Sequence, residues 1–466
     1  MAASAAARLA TPLPHGQDRD AGRAMDDDAT RPQTPGARLV EDSARPGTAV
    51  VCGGGRLTAE MARAVQINPR VLSWARETAG FAPEEAAAKL GLKSTAKATA
   101  VEKLLQAESG ERPIGQGMLE KAAAIYRRPL VTFYLPQPPT RGERGEDFRT
   151  IAGAASPRED AILDALIRDI RTRQQLLREA LIEDEDTTPL DFVASCRVAD
   201  GAKAVASRIR KTLGVTTAEQ RGARDPAALF SLLRTAAERA GIFVLLLGDL
   251  GSHHSDISEE TFRGFALADD VAPFVVINDN DATPARSFTL MHELAHIWIG
   301  ATGVSGPLRG APANIVERFC NEVAGEFLLP PEALKPIAAA GAASFDLDSA
   351  LSLTDDVARI WNVSQGVVTY RLLLNGWISN QVATAMFRAF ADRWRAERQR
   401  AREAREPDET GPGYYIVRRS RLGAGLMDAV RRALQGEILT HTKAARILGV
   451  APTAVDQLLR ERPRAA

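Results

Sequence analysis

The stretch from Ser287 to Gly300, SFTLMHELAHIWIG, decides how the chain is read. His292 and His296 stand four apart, a spacing that puts both on one face of a helix, where two imidazoles reach a single metal ion. Glu293 lies about 100° around the helix from His292, where it reaches a water held by that metal rather than the metal itself. From His292 as zero, His296 falls at about 40° and Thr289 at about 60°, while Leu290, Met291, Leu294, Ile297 and Trp298 fill the arc from about 140° to 260°. The helix is apolar nearly all round and spends its narrow polar arc on two His and a Glu. Buried groups of that kind need compensation, which a metal supplies.

A catalytic zinc needs a third protein ligand and an open position. Glu317, 21 residues beyond His296, begins VERFCNEVAGEFLLP at its second position. With Glu317 at zero, Phe319, Cys320, Val323, Ala324 and Phe327 cover an apolar face from about 200° to 340°. Glu317 borders that face and is the expected third ligand. Asn321, one turn on, is expected to orient it, while Glu322 and Glu326 are expected to point to solvent. Cys320 is the rival ligand, in a His2Cys site, although its arc is the packing face. Such a set predicts metal-assisted hydrolysis, with Glu293 as the catalytic carboxylate that takes a proton and passes it to the leaving amine. His253, His254, Arg263 and Tyr370 are unranked candidates for a second electrophile. The segment PFVVIN, residues 273–278, is expected to run along the cleft and pair with an extended peptide.

The 466 residues suggest about three domains at roughly 150 residues each. With 45% hydrophobic and 25% charged residues, the composition is that of a globular protein, which excludes collagen-like and wholly disordered readings. Lys+Arg and Asp+Glu balance at 59 each, so any attraction to nucleic acid or membrane must be local. Three scattered cysteines argue against a disulfide framework and for a reducing compartment; with no long apolar run, the expectation is a cytoplasmic protein with no membrane partner.

Five segments are expected. Residues 1–60, rich in Ala, Arg, Asp, Pro and Gly, read as disordered or as an artefact of start-site assignment. Residues 61–136 have the grammar of a helix-turn-helix bundle and hold 11 Lys/Arg against 7 Asp/Glu, a balance of +4. Residues 137–225 read as a linker and helical region, 226–335 as the peptidase core, and 336–466 as a helical C-terminal region. Within the core, the order is helix, three strands (IFVLLLG, FRGFAL, PFVVIN), helix, helix. The stretches VARIWNVSQGVVTYRLL and AARILGVAPTAVDQLL form a weak internal repeat, each two short helices about a tight turn. The fold class is therefore multidomain and mainly α, with a small α+β domain around the HExxH helix.

Three segments in order, FRGFALADDVAPFVVINDND, SFTLMHELAHIWIG and VERFCNEVAGEFLLP, resemble the ImmA/IrrE-type metallopeptidases fused behind a helix-turn-helix of the XRE (lambda-repressor-like) class. The resemblance extends to WARETAGFAPEEAAAKLG, ESGERP and YRRPLVTFYLPQPP near the N-terminus and to GPGYY near the C-terminus. It implies a compact zincin-like domain with Zn2+ held by His292, His296 and Glu317. Members of that family cleave XRE-type repressors and so switch on stress, phage or mobile-element genes. Two departures stand out. Many members have Ala-Asn where this chain has Cys320-Asn321. The would-be recognition helix around STAKATAVEK offers Ser94, Thr95, Lys97, Thr99 and Lys103 to DNA, but no Arg, Asn or Gln for bidentate base readout. The leading expectation is a zinc endopeptidase acting on an XRE-type repressor. The alternative is a DNA-binding regulator or antitoxin-like protein with a non-catalytic metal site.

Overall fold

The computed structural model describes residues 64–65, 67–139, 156–184, 187–251, 255–305, 314–339, 347–403 and 413–460. The expectation for residues 1–60 falls outside them. The N-terminal unit pairs β1 (Ala64–Val65) with β2 (Ile114–Gly115) and carries α1 (Pro69–Thr78), α2 (Pro83–Lys89), α3 (Ala100–Ser109) and α4 (Gln116–Ile125) around its own core of Val71, Leu72, Leu104, Leu119 and Phe133. The connection from α2 to α3 runs from Leu90 to Thr99, ten residues. A helix-turn-helix joins its helices with three or four.

The remainder begins with α5 (Pro157–Glu183), α6 (Ala202–Leu213), α7 (Thr217–Gly222) and α8 (Pro226–Arg239). Next come β3 (Phe243–Leu246), β4 (Gly264–Leu267), β5 (Phe274–Ile277), α9 (Thr283–Ile299), β6 (Gly303–Ser305), α10 (Ile315–Leu328) and α11 (Pro331–Ala339). The chain continues through α12 (Leu347–Trp361), α13 (Gln365–Leu374), α14 (Asn380–Glu403), α15 (Tyr414–Leu422), α16 (Ala424–Gln435), α17 (His441–Leu448) and α18 (Val455–Leu459). The structure is mainly helical with a small mixed sheet of order β3-β5-β4-β6. β3 and β5 are parallel; the β5–β4 and β4–β6 pairs are antiparallel.

Successive side chains of a strand point to opposite faces, and here both faces are buried. Val244, Leu246, Ala266, Val275 and Ile277 face a core shared with α6, α8, α9, α10, α12 and α13. Phe243, Leu245, Phe265, Leu267, Phe274 and Val276 face a second core, roofed by α5 and by α15 to α18. That double burial is why the three longer strands read as continuous apolar runs. Both cores draw on helices outside residues 226–335, and the two halves of the weak repeat, α12–α13 and α17–α18, lie on opposite sides of the sheet.

β5 does not run along an open cleft. Its backbone is paired with β3 on one side and with β4 on the other, so PFVVIN has no edge to offer a peptide. The edge beside α9 belongs instead to β6, which pairs only with β4 among the described residues. No helix among the described residues is long and apolar enough to cross a membrane.

Candidate metal centre

Local chemistry fixes both helices of the site. α9 has Pro284 in its first turn, where the missing N–H costs nothing, and ends on Gly300 at φ 70°, a left-handed cap that glycine adopts without strain. α10 starts at Asn314, whose side chain accepts hydrogen bonds from the backbone N–H of Val316 and Glu317. That cap puts Glu317 in the first turn, where the helix dipole favours a carboxylate.

His292, Glu293, His296 and Glu317 are all buried, at 3%, 0%, 0% and 3% exposure. The Nε2 atoms of His292 and His296 lie 3.1 Å apart. Glu317 Oε2 is 3.3 Å from the first, and Glu317 Oε1 is 3.1 Å from the second. Ligands placed tetrahedrally about 2.0 Å from zinc are separated by roughly 3.3 Å, so these spacings fit an ion held by all three. The tautomer fits as well. Asn321 Oδ1 lies 2.8 Å from His292 Nδ1, and as an acceptor it takes the proton there and leaves Nε2 bare toward Glu317. Asn321 therefore orients His292 rather than Glu317, a correction to the sequence reading.

Glu293 is held differently. Its Oε1 accepts a hydrogen bond from the Ser305 hydroxyl, which also contacts the Gly264 carbonyl. Its Oε2 is buried with no hydrogen-bond partner among the described residues. The carboxylate fits because position 264 has no side chain: a Cβ there would stand 2.7 Å from Thr289 Cγ2 and 2.9 Å from Glu293 Oε1. Gly264→Ala is expected to cost about 1–3 kcal/mol by overpacking, read as a lower denaturant midpoint, and to displace Glu293. An unchanged midpoint would mean that the strand yields freely.

Burial drives the electrostatics. It pushes the Glu293 carboxyl up to about 8, against the opposing pull of His292 and the Ser305 hydroxyl. Burial would also raise Glu317, but the facing His292 charge and hydrogen bonds from both imidazoles hold it down to about 2. Burial disfavours the charged form of His292, yet Glu317 beside it lifts its pKa above the ordinary value. His296, buried and next to His292, goes the other way. The pair thus favours one proton on His292 facing an ionised Glu317 when no metal is present.

Among the remaining expectations, Cys320 is fully buried in the core on the packing side of α10, and burial raises its thiol pKa well above the usual value. Among the described residues the donor group that could hold a metal is His292, His296 and Glu317, without Cys320. Glu326 is not an ordinary solvent-facing carboxylate: it pairs at 2.7 Å with the buried Arg371. Arg263 is engaged with Asp281 at 3.6 Å. Tyr370 is buried edge-on to Phe288, its hydroxyl without a hydrogen-bond partner among the described residues. His253 and His254 lie outside the described residues. Ser305 had no sequence signal at all, because a lone serine at the end of a three-residue strand looks like any loop residue.

The five positions offered to DNA do not form one helical face. Ser94, Thr95 and Lys97 precede α3, Thr99 caps it, and only Lys103 lies within it. Ser94 Oγ accepts from Ala100 N, the Thr95 hydroxyl donates to Ala98 O, Thr99 forms a capping box with Glu102, and Lys103 Nζ donates to Lys93 O. Lys97 alone stands exposed without such a bond among the described residues. Side chains already spent on a turn read bases poorly, so any duplex binding by this unit is expected to be salt-dependent and indifferent to sequence, as competition with random duplex would show. A preference of tenfold or more for one sequence would refute this.

No curated protein and no solved structure is similar enough to the chain to count as a match. A family model does match, over the sheet and the helices that carry the centre. Residues 237–373 correspond to the IrrE N-terminal-like domain of the Peptidase_M78 metallopeptidases, a match that does not reach the N-terminal helical unit.

Proposed function

We propose that this chain is a zinc-dependent endopeptidase that acts inside the cell on a helix-turn-helix repressor of the XRE type, so that cleavage changes gene expression. The carrying observation is the convergence of His292, His296 and Glu317 on one point, with the partnerless Oε2 of Glu293 on the same helix. The match to a metallopeptidase domain over these residues supports the same reaction class. Zinc, when bound by the three ligands, supplies a Lewis acid that brings the pKa of water toward 7 and polarises a carbonyl.

The chain's own residues do the rest. Ser305 holds Oε1 of Glu293, which leaves Oε2 as the oxygen that exchanges a proton. A carboxyl raised by burial is a stronger base than an exposed one, matched to accepting a proton near neutral pH and returning it to the leaving amine. Asn321 keeps His292 in the tautomer that presents Nε2. The outer edge of β6, beside Glu293, offers backbone groups to an extended peptide, the role that β5 cannot take. The repressor as substrate rests on the family match together with the resemblance of the flanking segments.

Elemental analysis tests the centre directly. About one zinc per chain is expected in the wild type and in Glu293→Gln, and little in His292→Ala. Equal zinc in all three would remove the assignment of the ligands.

A further inference from the structure

A cavity of about 870 Å³ lies between the start of α9, the α12–α13 turn and α14, and neither the three metal ligands nor Glu293 lines it. It is a site apart from the metal centre. Ligand pockets run from about 300 to 1,000 Å³, so a small molecule has room here. α14 contributes Phe387, Phe390 and Trp394, whose spacing puts the three rings on one helical face. All three are half-buried, which leaves apolar ring surface for an occupant. Phe288 of α9 and Val367 of α13 extend the apolar lining.

The charges around the cavity cancel. Five arginines border it together with four carboxylates. Arg263 meets Asp281 at 3.6 Å, Arg359 meets Asp356 at 2.6 Å and Arg395 meets Asp392 at 3.1 Å. Arg393 has Asp355 at 4.0 Å. That leaves Arg388, on a rim that also carries Glu259, Glu260 and Glu397. A rim of this kind selects neither a polyanion nor a polycation. Two wall residues also adjoin the supports of the metal centre. Phe288 stands one turn before His292, with ring centroids 6.4 Å apart. The backbone N–H of Arg263 donates to Ser305 O, and the Ser305 hydroxyl holds Glu293.

We propose that this cavity is a second ligand site, for an uncharged, largely apolar small molecule with an aromatic ring, and that its occupancy is felt at the metal centre through Phe288 and Arg263. The ligand's ring packs against Phe387, Phe390 and Trp394, where aromatic pairs add to plain burial. Its lack of charge suits the cancelled rim. An occupant that moves Phe288 moves the neighbour of a metal ligand, and one that moves Arg263 moves the residue that holds Glu293. The site stands whether or not the chain cuts a peptide.

The probe is N-phenylnaphthylamine, a neutral dye that fluoresces in apolar surroundings, titrated into the full-length, zinc-loaded protein. Anilinonaphthalene sulfonate, a similar skeleton with a negative charge, is titrated beside it. Saturable binding of the neutral dye is expected, at least as tight as that of the sulfonate. Phe390→Ser removes a ring, and Ala391→Trp fills the space from an exposed position. Each should weaken the dye at least tenfold while the urea midpoint stays near that of the wild type. Saturating dye should change the zinc dissociation constant at least threefold, and zinc should change that of the dye by the same factor. No saturable binding, a sulfonate bound tenfold more tightly, or binding untouched by both variants would overturn the site. A Leu/Phe-rich peptide that displaces the dye and binds more tightly than it does would make the cavity a polypeptide groove and overturn the small-molecule assignment. Zinc affinity identical with and without dye would overturn the link to the metal centre.

Discussion

Glu293→Gln is expected to keep its metal and to lose about 10²–10⁴-fold in kcat, the range that a positioned general acid–base contributes. Glutamine has nearly the same volume, and its amide oxygen still accepts from the Ser305 hydroxyl, so the packing around Thr289 and Gly264 survives. What disappears is an oxygen that takes and returns a proton. In the native chain that oxygen is Oε2, buried and without a partner among the described residues. The informative comparison is with His292→Ala, which removes one of the three ligands and should lose zinc and activity together. Zinc content and turnover of a repressor substrate, measured on the same preparations, separate the two effects. Turnover within tenfold of wild type in Glu293→Gln would sink the assignment of Glu293 as the proton carrier.

Metal removal exposes a second large effect. The folded, metal-free site holds Glu293 up to about 8 and His292 above its ordinary value, so in this site the native state binds protons more tightly than the unfolded chain does. A group with a raised native pKa stabilises fully below its unfolded pKa, and that contribution is lost as pH rises through the folded value. Glu317, held to about 2, acts oppositely, but its window lies below about 4.5. His296, lowered by burial, loses its influence above the ordinary imidazole value of about 6.5. Between pH 6.5 and 8 the metal-free protein should therefore lose stability as pH rises. The share from Glu293 is about 1.4 kcal/mol per pH unit, because one proton separates the two states.

Zinc opposes the slope. Binding needs deprotonated ligands, so the stabilisation by zinc grows over the same interval. At a thousandfold excess over Kd it amounts to about 4 kcal/mol. Urea titrations of chelated and zinc-loaded protein at pH 6.5 and 8 measure both effects. In chelated Glu293→Gln the pH slope should shrink by the Glu293 share; a slope identical to the wild type would show that this carboxyl is not held neutral by burial.

The site was legible where its residues repeat on a helical period, and illegible where contact crosses between elements. His292, Glu293 and His296 declare themselves because every other face of α9 is apolar, and Glu317 borders the packing face of α10, which is where the structure has it. Asn321 was visible but misassigned, since the angle around α10 cannot say which side chain of α9 lies opposite. β6 was missed because Gly303–Ser305 has neither the length nor the apolar run of a buried strand, and with it went the true edge of the sheet. The three longer strands were found as apolar runs, but the sequence does not say which one is central. Pairing is decided by partners dozens of residues away. Helices α5 and α15 to α18 look like amphipathic surface helices one at a time; only the sheet shows what their apolar stripes cover.

The second face of the sheet has a consequence for the order in which the protein comes to exist during translation. Phe243, Phe265, Phe274 and their neighbours have only α5 to cover them until α15 to α18 have been made. From Ile277 at the end of β5 to Leu459 at the end of α18, roughly 180 residues must still leave the ribosome. At 5–20 residues per second that is a wait of roughly ten to forty seconds. For most of it His292 and Glu293 are already synthesised, but the sheet that positions them is only partly covered on one side. A chain stopped short of those helices is expected to leave part of that apolar face exposed and to be prone to aggregation.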